Sequence, residues 1–280
     1  MIKPFLRNKE LFSTTPLIYF GLKFVVEWKN MKNLLKNVIC FLLNLFSFLS
    51  PKNRATILMY HSIGRNNVFS TVLPESFERQ MNYLKKGNYN VMGLGELVDI
   101  LEKKQPISAK TVVISFDDGY ADNFIFAWPI LKRCGFPATI FLTTGLAGGV
   151  KIKKTGEQMR MLDWPEIEKM QKSGLVDFQP HTVNHPHLSE VSSEEAQKEI
   201  AGSLTTIEER LGKKEKFFAY PYGDYNQDII DILRTNGFRA ALIVKRGLIK
   251  QESPLFELPR IAVSLKTSLG QFKSKLNFGI

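Results

Sequence analysis

The side chains best suited to chemistry fall into three short groups. Ser115-Phe116-Asp117-Asp118-Gly119-Tyr120 closes an apolar run and sets two carboxylates side by side. Successive side chains of an extended strand point to opposite faces, so adjacent aspartates at a strand end suit two jobs, one binding a cation and the other handling protons. An Asp-Asp-Gly turn that merely caps the next helix is the competing reading. His181-Thr-Val-Asn-His185 follows the stretch Val176-Asp-Phe-Gln-Pro180. Two histidines four apart, on one helical turn or a tight loop, can present both imidazoles to a single ion. A lone histidine would mean little, but this pair and the aspartate pair both fall at the carboxyl ends of strands. The third group, Phe218-Ala-Tyr-Pro221-Tyr222-Gly223, forms a turn that can aim a backbone N–H at a developing oxyanion. Taken alone it would be an ordinary turn, and His187 reads as a loop or packing histidine.

The elements that must position these groups are legible beyond Arg54. Short apolar runs predict strands at 55–60, 111–116, 137–142, 176–180, 216–220, 239–244 and 258–263. Helical patterns cover 75–87, 95–104, 123–134, 164–173, 226–236 and 267–276, and the clearest, 193–212, opens with the capping-box pattern Ser192-Ser-Glu-Glu195 and stops at Gly212. Repeated strand-then-helix units with continuous apolar strands imply a parallel sheet covered by helices, open or closed into a barrel. In either architecture the reactive site lies at the carboxyl ends of the strands, where all three groups fall.

Charge is distributed unevenly. The chain carries 38 Lys/Arg against 27 Asp/Glu, a net of +11, yet residues 1–54 hold nine of those basic residues and only two glutamates. That leaves +4 for the remaining 226 residues, too nearly balanced for a nucleic-acid surface. Cys40 and Cys134 are distant in sequence and lack metal-ligand spacing, so neither a disulfide nor a zinc knuckle is expected.

The excess basic charge brackets an uncharged stretch, Asn37 to Pro51, of about 15 residues. A spanning helix needs roughly 20, so this length fits a signal core or an interfacial helix. Met31-Lys-Asn-Leu-Leu-Lys reads as the basic start of a secretory signal, with Met31 as an alternative initiation site. No small-x-small cleavage site follows. The expectation is therefore a membrane-associated segment over 1–53 and a catalytic domain over 54–280, on the extracytoplasmic side or, alternatively, the cytoplasmic face. An amphipathic helix packed on the domain is the plainer reading.

Ser-Phe-Asp-Asp-Gly, His-Thr-x-x-His and Tyr-Pro-Tyr-Gly, in this order and spaced by about 60 and 35 residues, resemble the first three motifs of the polysaccharide deacetylases, the NodB-homology or carbohydrate esterase family 4 group. The resemblance covers roughly residues 55 to 265. It implies a distorted (β/α) barrel of about seven parallel strands, here preceded by an N-terminal apolar helix. It also implies one divalent metal ion, most often zinc, and a monomeric hydrolase that removes N-acetyl groups from a glycan. By motif position, Asp117 matches the family's general base, Asp118, His181 and His185 its metal ligands, and Tyr222 the residue whose backbone N–H helps bind the oxyanion. Leu58-Met-Tyr60-His61-Ser and Leu258-Pro-Arg260-Ile resemble the poly-N-acetylglucosamine deacetylase branch.

Two departures stand out. Ala219 occupies the position of an arginine that orients the base, and no histidine follows His187, so the late Leu-x-x-His motif is missing. His61, which ends the first strand at the same rim, is the expected proton donor, with a structural histidine beneath the site as the alternative. Arg260 is expected beside Asp117 in place of the missing arginine and, with Pro221, among the substrate-binding residues. Two other functions compete: a glycan-binding domain that has lost catalysis, and a metal hydrolase of another amide or an O-acetyl ester.

Overall fold

The computed structural model describes residues 34, 35, 37–45, 53–153, 155–212 and 216–279. Twelve strands are described: β1 (Ala55–Tyr60), β2 (Ser62–Ile63), β3 (Thr71–Val72), β4 (Asn90–Val91), β5 (Thr111–Phe116), β6 (Ala138–Leu142), β7 (Val150–Ile152), β8 (Gln158–Arg160), β9 (Val176–Pro180), β10 (Phe217–Ala219), β11 (Ala240–Leu242) and β12 (Ile261–Ala262). The helices are α1 (residues 37–45), α2 (Pro74–Lys86), α3 (Leu94–Glu102), α4 (Trp128–Cys134), α5 (Trp164–Lys172), α6 (Ser193–Leu211), α7 (Gln227–Thr235) and α8 (Leu269–Phe278).

Every residue of β1 and β5 is buried, as central parallel strands covered on both faces must be. They pair in register from Ala55↔Thr111 to Tyr60↔Phe116 and anchor a parallel sheet in the order β12-β1-β5-β6-β9. β10 and β11 form a second parallel pair. A parallel bridge between Leu242 and Leu258, with Ile243 N–H donating to the Leu258 carbonyl, ties that pair to the segment leading into β12. Seven parallel strands thus run round a ring. Among the described residues no strand pairing joins β9 to β10; a side chain spans the gap, Gln179 Oε1 accepting from Phe217 N–H at 2.9 Å.

Strand alternation divides the core in two. Leu58, Tyr60, Ile114, Phe116, Ile140 and Phe178 face outward and pack under α2, α4, α5 and α8. Ile57, Val113, Phe141, Phe217 and Leu242 face the ring interior, which α3 closes with Leu94, Leu97, Val98 and Leu101. Odd-numbered residues of β1 and β5 therefore point inward, and the next inward positions past the strand ends are His61 and Asp117.

The expected elements form with ends shifted by at most three residues, and β1, β5 and β9 match at both ends. Two differ in kind. The 123–134 helix opens with a π-helical stretch, Asn123–Ala127, before α4; Pro129, lacking an N–H, removes a donor from the first turn that follows. Only half of the capping box at α6 is present: Ser192 Oγ accepts from Glu195 N–H, and the glutamate does not reciprocate. The hairpin β7–β8 was not expected, because Lys151-Ile-Lys-Lys and Glu157-Gln-Met-Arg give no clear apolar alternation.

α1 lies against α8 through polar contacts. Gln271 Nε2 donates to Asn37 Oδ1, Asn44 Nδ2 to the Gly270 carbonyl and Ser274 Oγ to the Cys40 carbonyl, while Val38, Ile39, Phe41, Leu42 and Leu45 stay exposed. No described helix is long and apolar enough to cross a membrane. Residues 46–51 of the expected apolar segment, and Met31, lie outside the described residues.

Candidate active site

The three sequence groups converge at the carboxyl end of the ring, on a cavity of about 450 Å³ lined by His61, Asp117, Asp118, His181, His185 and Tyr222 among others. Their backbone is bent to bring this about. Asp118, Thr182, His185 and Tyr222 all have left-handed φ, at 73°, 66°, 65° and 60°. Such conformations cost on the order of 1–3 kcal/mol each outside glycine and persist only where surrounding structure enforces them. Gly119 (φ 85°) continues the turn, and a Cβ there would lie 2.4 Å from Leu142 Cδ1.

Asp117 is buried, and Arg260 holds it in a bidentate pair, Nη1–Oδ1 at 2.6 Å and Nη2–Oδ2 at 2.8 Å. Burial alone would raise the carboxyl's pKa; the Arg260 charge and its hydrogen bonds, with His181 and His61 nearby, bring it below the ordinary value instead. Arg260 therefore lies beside Asp117, as expected of it. Its expected share in substrate binding is corrected: the guanidinium is 1% exposed, committed to Asp117 and the Ile243 carbonyl, and does not line the cavity. Pro221 is likewise buried behind the turn and shapes it instead of meeting a substrate.

Asp118 faces the two imidazoles. Its Oδ1 lies 3.1 Å from His185 Nε2 and 3.9 Å from His181 Nε2, and one ligand atom from each of the three residues falls within 4.8 Å of the others. His181 Nδ1 donates to the Ala219 carbonyl at 2.6 Å, which leaves the Nε2 lone pair for the cluster. Burial holds His181 down to about 3, so its ring is neutral. Tyr120 Oη donates to Asp118 Oδ2 at 2.6 Å. Asp118 Oδ1 and His185 Nδ1 are nevertheless buried atoms without a well-formed hydrogen bond. One carboxylate oxygen left short of partners, beside two imidazole nitrogens and open to a cavity, is a donor set that fits zinc or a similar divalent ion.

Several residues that position the site escaped sequence reading. Glu199 of α6 is buried, and its carboxylate accepts from Val183 N–H, Asn184 N–H and Asn184 Nδ2 at 2.7 to 2.9 Å, clamping the loop between the histidines. Thr182 Oγ1 accepts from His185 N–H in the same loop. Asn123 Nδ2 donates to the His61 carbonyl, and Asp122 accepts from Ser62 Oγ and Ile63 N–H. Lys151 and Lys153 reach Asp118 from the hairpin. Only the polar Asp122-Asn123 pair, three residues past the Asp-Asp-Gly turn, could have been found by inspection. His187 does point away from the cluster: its ring stacks on Tyr222 at 3.9 Å.

A profile of the polysaccharide deacetylases matches residues 104–241. YxkH of Bacillus subtilis, a protein assigned to the same group, is 31% identical over 208 residues, which is 74% of this chain and 71% of YxkH. The chain belongs to the polysaccharide deacetylase family. Deacetylases of this kind are hydrolases of amide C–N bonds. The poly-β-1,6-N-acetyl-D-glucosamine N-deacetylase of Staphylococcus aureus is 27% identical over 239 residues, 76% of this deacetylase and 80% of the relative. Among solved structures, the Streptococcus pyogenes deacetylase PplD in complex with acetate superposes with a TM-score of 0.72 at 26% identity, covering 81% of this chain and 99% of PplD. IcaB from Ammonifex degensii gives 0.70 at 25%, covering 80% and 97%.

Proposed function

We propose that this deacetylase hydrolyses the N-acetyl group of amino sugars in a glycan, releasing acetate, with a divalent ion, zinc in the first instance, held by Asp118, His181 and His185. The observation that carries this reading is the convergence of those three donors beside a second carboxylate locked on Arg260. The likeness to an enzyme that deacetylates poly-N-acetylglucosamine supports the choice of an amino sugar.

When bound, the metal supplies Lewis acidity, polarising the acetyl carbonyl and lowering the pKa of water toward neutrality. Asp117, ionised and fixed by Arg260, takes the proton of the attacking water. Tyr222, left-handed at the cavity wall, offers its backbone N–H to the oxyanion. His61 lines the same cavity, and burial lowers its pKa, so it begins neutral and relays the proton from Asp117 to the departing amine. The test is acetate release from an N-acetylglucosamine oligomer, measured before and after chelation and again with zinc restored. Tight binding of the oligomer without acetate would instead favour a glycan-binding domain, and release from O-acetyl esters alone would change the bond cleaved.

We further propose that the enzyme works at a membrane surface as a monomer. Support comes from α1, whose polar side faces α8 while its apolar residues face outward, and from the basic charge of residues 1–54. Cosedimentation with anionic vesicles should be lost in a Phe41→Asp, Leu42→Asp variant; retention would refute this placement.

A further inference from the structure

The hairpin β7–β8 brings two lysines over the cavity, and the chemistry above uses neither. Lys151 Nζ lies 3.2 Å from Asp118 Oδ1 and Lys153 Nζ 3.6 Å from Asp118 Oδ2; Lys153 also lies over the Tyr120 ring at 4.7 Å. Lys151 lies in β7 and Lys153 one residue past its end, and both ammonium groups reach Asp118. The hairpin is firmly seated. Met159 and Met161 pack with Tyr120 and Val68, Ala121 N–H donates to the Arg160 carbonyl, and Leu162 N–H donates to the Gly119 carbonyl, next to Asp118 itself.

Charge balance gives the lysines a role. Asp117 is neutralised by Arg260, leaving Asp118 as the one carboxylate among the described residues in contact with the lysines in the cavity. A dication bound to Asp118 and two neutral imidazoles would already outweigh that single negative charge. The two lysines would then face a cation across the cavity, with no other carboxylate among the described residues paired to them. An anionic group on the incoming glycan would supply that partner. A site for a neutral glycan has no need of two partly buried ammonium groups, whose lost hydration is offset only for Lys153, by the Tyr120 ring.

We propose that Lys151 and Lys153 form a subsite for an anionic oxygen group, carboxylate or phosphate, carried by the glycan close to the acetamido group being cleaved, so that the substrate class is an acidic, N-acetylated glycan. This rests on the deacetylase reading given above. It also predicts that in the metal-free enzyme the lysines compete with the metal for Asp118.

Three N-acetylglucosamine oligomers of equal length test the subsite: one neutral, one bearing a phosphate and one a carboxylate on the sugar next to the reactive residue. Wild-type kcat/KM should favour at least one acidic oligomer about tenfold or more over the neutral one, and the preference should shrink as salt rises from 20 to 500 mM. In Lys151→Gln, Lys153→Gln enzyme the ratio should fall to within about twofold of unity. Calorimetric titration of zinc into the apo forms should show tighter binding to this variant than to wild type. Equal kcat/KM for all three oligomers in wild type, or a preference that survives both substitutions, overturns the proposal. Binding to zinc-loaded Asp117→Asn, which needs no turnover, separates the two readings. Selective binding of an acidic oligomer there, with no acetate released by wild type, keeps the subsite and sinks the deacetylase; acetate released equally from all three does the reverse.

Discussion

Asp117 and Asp118 are neighbours of one residue type, both buried, yet the structure treats them oppositely. Both oxygens of Asp117 are matched to the two arms of one guanidinium. Asp118 receives a well-formed bond on Oδ2 only, and its Oδ1 is crowded by two imidazoles and a lysine without a well-aligned donor. Completeness of coordination separates them: Asp117 is held still on its guanidinium, whereas Asp118 keeps one oxygen without a well-formed hydrogen bond, a difference that suits the separate tasks proposed for them. Both pKa values lie below the ordinary range despite burial, so charge state does not distinguish them.

The sharpest way to break the contrast is to strip Asp117 of its partner. Arg260→Met should cost about 3–5 kcal/mol, as expected when one member of a buried pair is removed. The sign follows from linkage. In the wild type Asp117 has a depressed pKa, so its contribution is present above about pH 4 and is lost as pH falls through the native value. Without Arg260, burial dominates and raises that pKa above the unfolded one, so the penalty should be greatest near pH 7 and shrink on acidification. Denaturant unfolding at pH 5 and 7.5 checks this, and a uniform loss at both would contradict it.

Next in size, Asp117→Asn should lower kcat by about 10²- to 10⁴-fold while zinc binding, read by calorimetry, stays close to wild type. Asp118→Asn should lose zinc as well as turnover. If the two variants behaved alike, the division of labour would fail. A smaller effect is expected from Glu199→Ala, which touches neither aspartate. Releasing the loop that orients both histidines should weaken zinc by about 10- to 100-fold, the range typical of supporting residues around a metal. The smallest change should come from Tyr120→Phe, which removes the one good bond to Asp118; a hydrogen bond to a charged group contributes about 1.5–3 kcal/mol, part of which a bound metal would replace. Thermal shift with and without zinc would show the variant's deficit narrowing in the metal-loaded form.

Much of this site was legible because its parts obey local rules. Continuous apolar runs located β1, β5, β6 and β9, and their ends located His61, Asp117 and His181 without any three-dimensional information. Arg260 was expected beside Asp117 only as a late-strand replacement for the missing arginine; that it precedes β12, which lies next to β1 and so one strand from the aspartates' own, became visible in the structure. What stayed hidden depends on approach between distant segments. Glu199 lies mid-helix among other glutamates of α6, and nothing in Ser193-Glu-Glu-Ala-Gln-Lys-Glu199 marks the last as the one that turns inward. Lys151 and Lys153 sit in a polar stretch whose hairpin pairing comes from packing on Tyr120, so its strands leave no apolar rhythm. The substrate roles expected of Pro221 and Arg260 failed for the converse reason: order along the chain showed that they lie near the rim but not that they face away from it.

The gap between β9 and β10 has a mechanical consequence. Two inward side chains of consecutive parity, Gln179 and His181, cross it and bond to the backbone of β10 at Phe217 and Ala219. The second of these fasteners also orients His181 within the Asp118, His181 and His185 cluster. An ion held by His181 would be coupled to this join, and free metal a hundredfold above its dissociation constant would stabilise the folded state that contains it by about 2.7 kcal/mol. Amide exchange at Phe217 to Ala219 would slow on zinc addition far more than exchange within β1 or β5, whose laddered strands are already closed.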